Sequence, residues 1–90
     1  MYEDAVENYL VTGVEAIGGI CAKLVDQSRR GFPDRTVLMP EAKMIFVELK
    51  AEGGKLAPWQ LRYHRDLRAL GYRVEVLWDC ISVDEFLAKL

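Results

Sequence analysis

Residues 31–50 read GFPDRTVLMPEAKMIFVELK. Two short apolar runs, Thr36 to Met39 and Met44 to Leu49, flank the segment Pro40-Glu41-Ala42-Lys43. The pattern predicts a β-hairpin with a proline-containing turn. Side chains alternate along a strand, so Phe46, Glu48 and Lys50 share one face while Val47 and Leu49 point into a core. A hairpin sets the start of its first strand beside the end of its second. Asp34 is therefore expected next to Glu48 and Lys50, with two carboxylates and one ammonium at one edge of a sheet. Such carboxylates repel unless a proton or a cation lies between them. A hard divalent ion such as Mg2+ takes one or two carboxylates, water and substrate phosphate. It activates bound water and stabilises charge on a phosphoryl oxygen, and a neighbouring lysine can orient that water or neutralise the phosphate. An isolated E-x-K is ordinarily the solvated face of a strand. The G-x-P-D element at hairpin distance raises the case for chemistry.

Outward from the hairpin, the amino-terminal side begins with a helix over residues 2–17. Ala5, Val6, Tyr9, Leu10, Val14 and Ile17 recur at helical spacing, and Gly18-Gly19 end the run. Glu3 and Glu7 share a stripe of that helix. An acidic first turn is favoured by the helix dipole alone, which accounts for Glu3; Glu7, one turn deeper, is a candidate further metal ligand that spacing alone does not establish. Ile20 to Val25 is a short strand candidate, and its Lys23 is either an edge residue or a phosphate contact. The polar loop from Asp26 to Gly31 leads into Asp34. Its Arg29 and Arg30 are either solvated or hold a nucleic-acid backbone.

On the carboxyl-terminal side, a glycine-containing turn precedes a helix from Pro58 to Leu70, with proline in the first turn and Gly71 as terminator. Trp59, Tyr63, Leu67 and Leu70 are its expected apolar stripe. Arg62, Arg65 and Arg68 form a basic flank, usually a solvated face but suited to tracking phosphates. Gln60 lies at the end nearest Lys50, within reach of substrate or attacking water, and His64 is at most a DNA contact. Tyr72 to Trp78 alternates as a strand. Ser82 with Glu85 reads as a capping box for a last helix from Val83. The order α-β-β-β-α-β-α predicts a single α/β domain over residues 1–90, with a small central mixed sheet flanked by helices. The helix before the last strand makes the third and fourth strands parallel.

Composition sets outer bounds. An apolar content of 51% with net charge −2 favours a folded chain. No apolar run reaches the roughly 20 residues of a membrane span, and no signal peptide is evident. Cys21 and Cys80 lack the spacing of a zinc or redox motif and read as thiols in reducing cytosol.

Arg30-Gly31-Phe32-Pro33-Asp34-Arg35, Phe46-Val47-Glu48-Leu49-Lys50-Ala51, Gly53-Gly54-Lys55-Leu56, Trp59-Gln60 and Leu67 to Val74, taken together, resemble the PD-(D/E)xK nuclease superfamily. More narrowly, the chain resembles the virus-type replication-repair nuclease (VRR-NUC) domain, in the stand-alone form found in phages and bacteria. The resemblance implies a restriction-endonuclease-like fold. It also implies Mg2+ or Mn2+ held by Asp34, Glu48 and the Leu49 main-chain carbonyl, with Glu7 completing the site and Glu3 competing for that role. Lys50 would position or activate water, and Gln60 matches the glutamine of the following helix. The implied activity is hydrolysis of DNA phosphodiesters by a homodimer that cuts branched DNA, notably four-way junctions, in the cytoplasm of a bacterium or phage-infected host. The expected DNA contacts are Lys23, Arg29, Arg30, Arg62 and Arg65. An idle DNA-binding or dimerisation module of the same fold, or a nuclease for flaps or other substrates, are the alternatives. The acidic balance argues mildly against a DNA binder, although local arginines can still form a positive patch.

Overall fold

A computed structural model describes residues 3–90. The elements follow in the order α1 (Glu3–Ala16), β1 (Ile20–Ala22), β2 (Arg35–Met39), β3 (Lys43–Leu49), α2 (Pro58–Ala69), β4 (Arg73–Leu77) and α3 (Cys80–Ala88). The expected helix start at residue 2 lies outside the described residues. The four strands form one sheet in the order β1-β2-β3-β4. β2 and β3 make the hairpin, with Arg35 opposite Val47 and Met39 opposite Lys43. At its turn Glu41 and Ala42 both take positive φ, at 65° and 61°. β4 runs parallel to β3, with Phe46 beside Val74 and Glu48 beside Val76. α2 supplies the crossover that a parallel pair requires.

Helices cover both faces of the sheet. On one face Val6, Leu10 and Val14 of α1 and Val83 and Phe86 of α3 pack on Val37, Ile45, Val47, Leu49 and Leu77. On the other face Phe46, Val74 and Leu67 of α2 form a smaller cluster joined by Phe32, Met44 and Tyr63. Phe32 meets the rings of Phe46 and Tyr63 edge-on, with centroids 5.5 and 5.4 Å apart. The Phe46 and Glu48 face is thus a second, interior layer and not a solvated one.

Three expectations change. β1 stops at Ala22, because Ala22 pairs with Thr36 near the start of β2 and little partner strand remains. Leu24 and Val25 beyond it are exposed. α3 starts at Cys80 and not at Val83: Asp79 is the N-cap, accepting from Ser82 N at 2.8 Å, while Ser82 Oγ accepts from Asp79 N at 3.1 Å. Ser82 is therefore the third helical residue of the capping pair and not its cap. Phe86 of that helix is buried core, while Ile81 is exposed and Trp78 before it half-buried. Finally, the inward stripe of α2 contains His64 and Leu67 with half-buried Gln60 and Tyr63, while Trp59 and Leu70 are exposed.

Candidate active site

Asp34 sits one step beyond the Arg35–Val47 pair of the hairpin. Its Oδ2 accepts a hydrogen bond from the main-chain N–H of Leu49 at 2.9 Å. That bond ties the loop before β2 to the end of β3 and delivers Asp34 to Glu48, as the hairpin reading expects. Gly31 lets the loop pass close to α2. Its φ is +100°, and a Cβ there would meet the Trp59 carbonyl oxygen at 2.3 Å, so only glycine fits without displacement. Pro33 is buried directly before Asp34.

Glu48 is 2% exposed. Burial pushes its carboxyl above the usual carboxylate range, and the neighbouring Asp34 carboxylate adds to the shift, while His64 opposes it. Gln60 Nε2 donates to Glu48 Oε2 at 3.3 Å, and Gln60 Oε1 accepts from Ala57 N at 2.8 Å. The same amide therefore closes the first turn of α2 and reaches the acid. Glu48 Oε1 has no hydrogen-bond partner. His64 Nε2 lies 3.4 Å from it. Lys50 follows on the same strand face, half-buried, with its main-chain N–H bonded to Leu77 O at 3.0 Å. Among the described residues its ammonium is in no ion pair.

Asp34, Glu48 and Gln60 are thus gathered at one end of the sheet on its α2 side, with Lys50 the residue that follows β3. Two adjoining carboxylates, one with a buried and unpartnered oxygen, are a donor set of the kind a hard divalent cation takes. Glu7 is placed elsewhere. It accepts from Arg35 Nε at 2.6 Å, and Arg35 Nη1 donates to Cys21 O at 3.1 Å. The strand register puts Arg35 on the α1 side of the sheet, opposite Glu48. Among the described residues no three His, Cys, Asp or Glu side chains gather as a metal-holding group. The side chain of Glu3 lies outside the described residues.

The five cations expected to meet DNA divide into two sets. Lys23, Arg29 and Arg30 line a cavity of about 230 Å³ that extends to Asp34. Arg30 stacks on the Trp59 ring at 3.9 Å, and Arg29 on Tyr63 at 4.2 Å. Arg29 also pairs with Asp66 at 2.6 Å, while Tyr63 donates to Asp26 at 2.6 Å. Bonds from Ser28 and from Tyr63 lower the Asp26 carboxyl to about 2. The loop is thereby fastened to α2. Arg62 and Arg65 stand on the exposed side of α2, and Arg65 shares Asp66 with Arg29. Arg68 instead donates to Val74 O at 2.8 Å.

The residue that sequence reasoning missed is His64. It was placed at most on a DNA-facing surface, and it is wholly buried against Glu48. Its signal was the spacing from Gln60, one helical turn, which puts both on one stripe.

The sequence model of the VRR-NUC domain matches residues 3–78. A protein described as "Putative nuclease p44", from Acyrthosiphon pisum secondary endosymbiont phage 1, is 55% identical over 75 residues, which are 83% of this chain and 81% of that protein. A solved structure described as a VRR_NUC domain superposes with a TM-score of 0.90 at 37% identity, over 96% of this chain and 94% of the other. With the family model matched over residues 3–78 and the fold shared with that relative, this chain belongs to the VRR-NUC domain family.

Proposed function

We propose that this nuclease domain is a divalent-metal-dependent endonuclease that hydrolyses phosphodiester bonds in branched DNA, including four-way junctions, as a homodimer. The observation that carries the metal dependence is the buried Glu48 carboxyl, with its unpartnered Oε1 beside Asp34. A buried carboxylate next to a second one is costly unless a cation offsets both. Asp34, Glu48 and the Leu49 main-chain carbonyl would hold Mg2+ or Mn2+. The bound ion supplies an acidified water and stabilises charge on the phosphoryl oxygens.

The chain's own groups do the rest. Gln60 holds Glu48 through Oε2. Lys50, in no ion pair among the described residues and two residues beyond Glu48, would orient the attacking water and offset negative charge on the phosphate. Lys23, Arg29 and Arg30 line the cavity that leads to Asp34, and the backbone on either side of the cut would follow them. A chain with net charge −2 then relies on this local cationic strip and on the ion to meet DNA. A homodimer suits the reaction, because two symmetric sites match two symmetric strands of a junction. The phage relative described as a nuclease supports the activity class.

The test is a cleavage assay on a labelled four-way junction, a flap and a linear duplex of matched sequence, with Mg2+, Mn2+ or EDTA, alongside Glu48→Ala. Symmetric metal-dependent cuts in the junction that vanish in the variant are expected. Cuts in all three substrates would keep the centre and remove the junction preference. Cutting in EDTA would remove the metal.

A further inference from the structure

Three buried side chains on the α2 side of the sheet carry polar atoms without hydrogen bonds: Thr36 Oγ1, Glu48 Oε1, and both ring nitrogens of His64. Thr36 is two residues from Asp34 on β2, so the two share a face with Glu48. Buried polar groups are nearly always satisfied, and a cluster of exceptions calls for an explanation. His64 is the hardest to explain as packing. It is 0% exposed, in the stripe where α2 otherwise presents Leu67 and Tyr63 to an apolar layer. An apolar side chain would fill that space without leaving an imidazole short of partners, an omission that is costly in a buried layer.

What His64 does have is Glu48. Its Nε2 lies 3.4 Å from Oε1, while Gln60 Nε2 lies 3.3 Å from Oε2. Two nitrogens one helical turn apart thus approach the two oxygens of one carboxylate, Gln60 with a hydrogen bond and His64 just short of one. Contacts of this kind are often long before a site is loaded and tighten afterwards. Groups that hold a metal-binding side chain from behind fix its orientation and contribute strongly to affinity. We propose that His64 is a positioning residue for Glu48: with Gln60 it clamps the carboxylate from the α2 side and fixes its orientation for a divalent cation. The inference rests on the metal-centre reading above and adds to it a residue that touches neither substrate nor ion.

The test is calorimetric titration of Mn2+ into wild type, His64→Met and His64→Gln, with thermal unfolding of each in EDTA. His64→Met removes the donor at similar bulk, and His64→Gln returns an amide donor. Expected is a loss of Mn2+ affinity of about 10- to 100-fold in His64→Met, substantial recovery in His64→Gln, and a melting temperature in EDTA that does not fall. Undiminished affinity in His64→Met overturns the proposal, and so does a weakening that His64→Gln fails to reverse. A lower melting temperature in EDTA with full affinity would leave His64 a packing residue only, which also overturns it. Should His64→Met fail to fold, His64→Asn, whose shorter amide cannot reach Oε1, takes its place with the same expectations. A wild type that takes up no Mn2+ sinks the metal centre itself, and that result is distinct from a variant that binds as wild type does.

Discussion

At the scale of single residues, the centre is shaped by one acid held where an acid is unfavourable. Glu48 is pushed up first by burial and then by Asp34. A carboxyl raised in the fold contributes stability below its unfolded pKa, and that contribution is lost as pH rises through the raised value. The metal-free protein therefore loses stability on the alkaline side of this titration, and a cation at the proposed centre would restore it. Mg2+ is expected to raise the melting temperature more above the titration than below it, by calorimetry across pH. Asp34→Asn keeps an oxygen for Leu49 N–H but removes the charge, and its Mg2+ shift should be absent. An equal shift in both proteins would put the ion elsewhere. Lys50 is the complementary case. Its side chain is in no ion pair among the described residues, so Lys50→Ala should leave folding and junction binding intact while turnover falls by about 10²-fold or more, as when a donor aimed at developing charge is removed. Gel-shift and single-turnover cleavage separate the two effects, and unchanged turnover would take Lys50 out of the reaction.

At the scale of elements, α2 shows how function alters a hydrophobic pattern. The apolar residues Trp59, Tyr63, Leu67 and Leu70 suggest one stripe, but the helix turns residues 60, 63, 64 and 67 inward. The stripe is offset because Gln60 and His64 face a carboxylate and not a core, while Trp59 takes Arg30 against its exposed ring. The loop before β2 is the matching element. Tyr63, Asp66 and Trp59 fasten it to α2 through Asp26, Arg29 and Arg30. Gly31 marks the closest approach, so Gly31→Ala combines a left-handed backbone with a clash against the Trp59 carbonyl. A cost of about 1–3 kcal/mol is expected for the backbone strain alone. Cleavage should fall further than stability does, because the displaced loop carries Asp34. Thermal unfolding and cleavage measured below the melting temperature of the variant check this, and wild-type values in both would show that the loop tolerates the shift.

At the scale of the whole molecule, the sheet separates two tasks. The α1 and α3 side is the larger apolar core, and the α2 side holds a small aromatic cluster with the polar centre at its end. A domain of 90 residues buries a modest core by itself. The proposed homodimer would add to that burial and would bring two centres to one junction. Sedimentation equilibrium is expected to return twice the chain mass at the concentrations where junctions are cut on both strands. A monomer under those conditions, still cutting both strands, would remove the dimer from the proposal. Among the described residues no helix is long and apolar enough to cross a membrane.

The order of elements, the hairpin, the parallel crossover and the meeting of Asp34 with Glu48 were all legible in the chain, because each follows from local periodicity and from one short turn. The first turn of α2 was legible as the end nearest Lys50, whereas the Gln60 bond to Glu48 was not. The boundaries of β1 and α3 were less so: pairing length and the Asp79 cap decided them, and both depend on neighbours. What only the tertiary structure decided is which charges meet across distance. It set Glu7 on Arg35, gave Asp66 to Arg29, and turned His64 inward onto Glu48. Those contacts arise from packing of separate elements, and a helical or strand period fixes the face a residue shares but not the partner that the opposing layer brings to it.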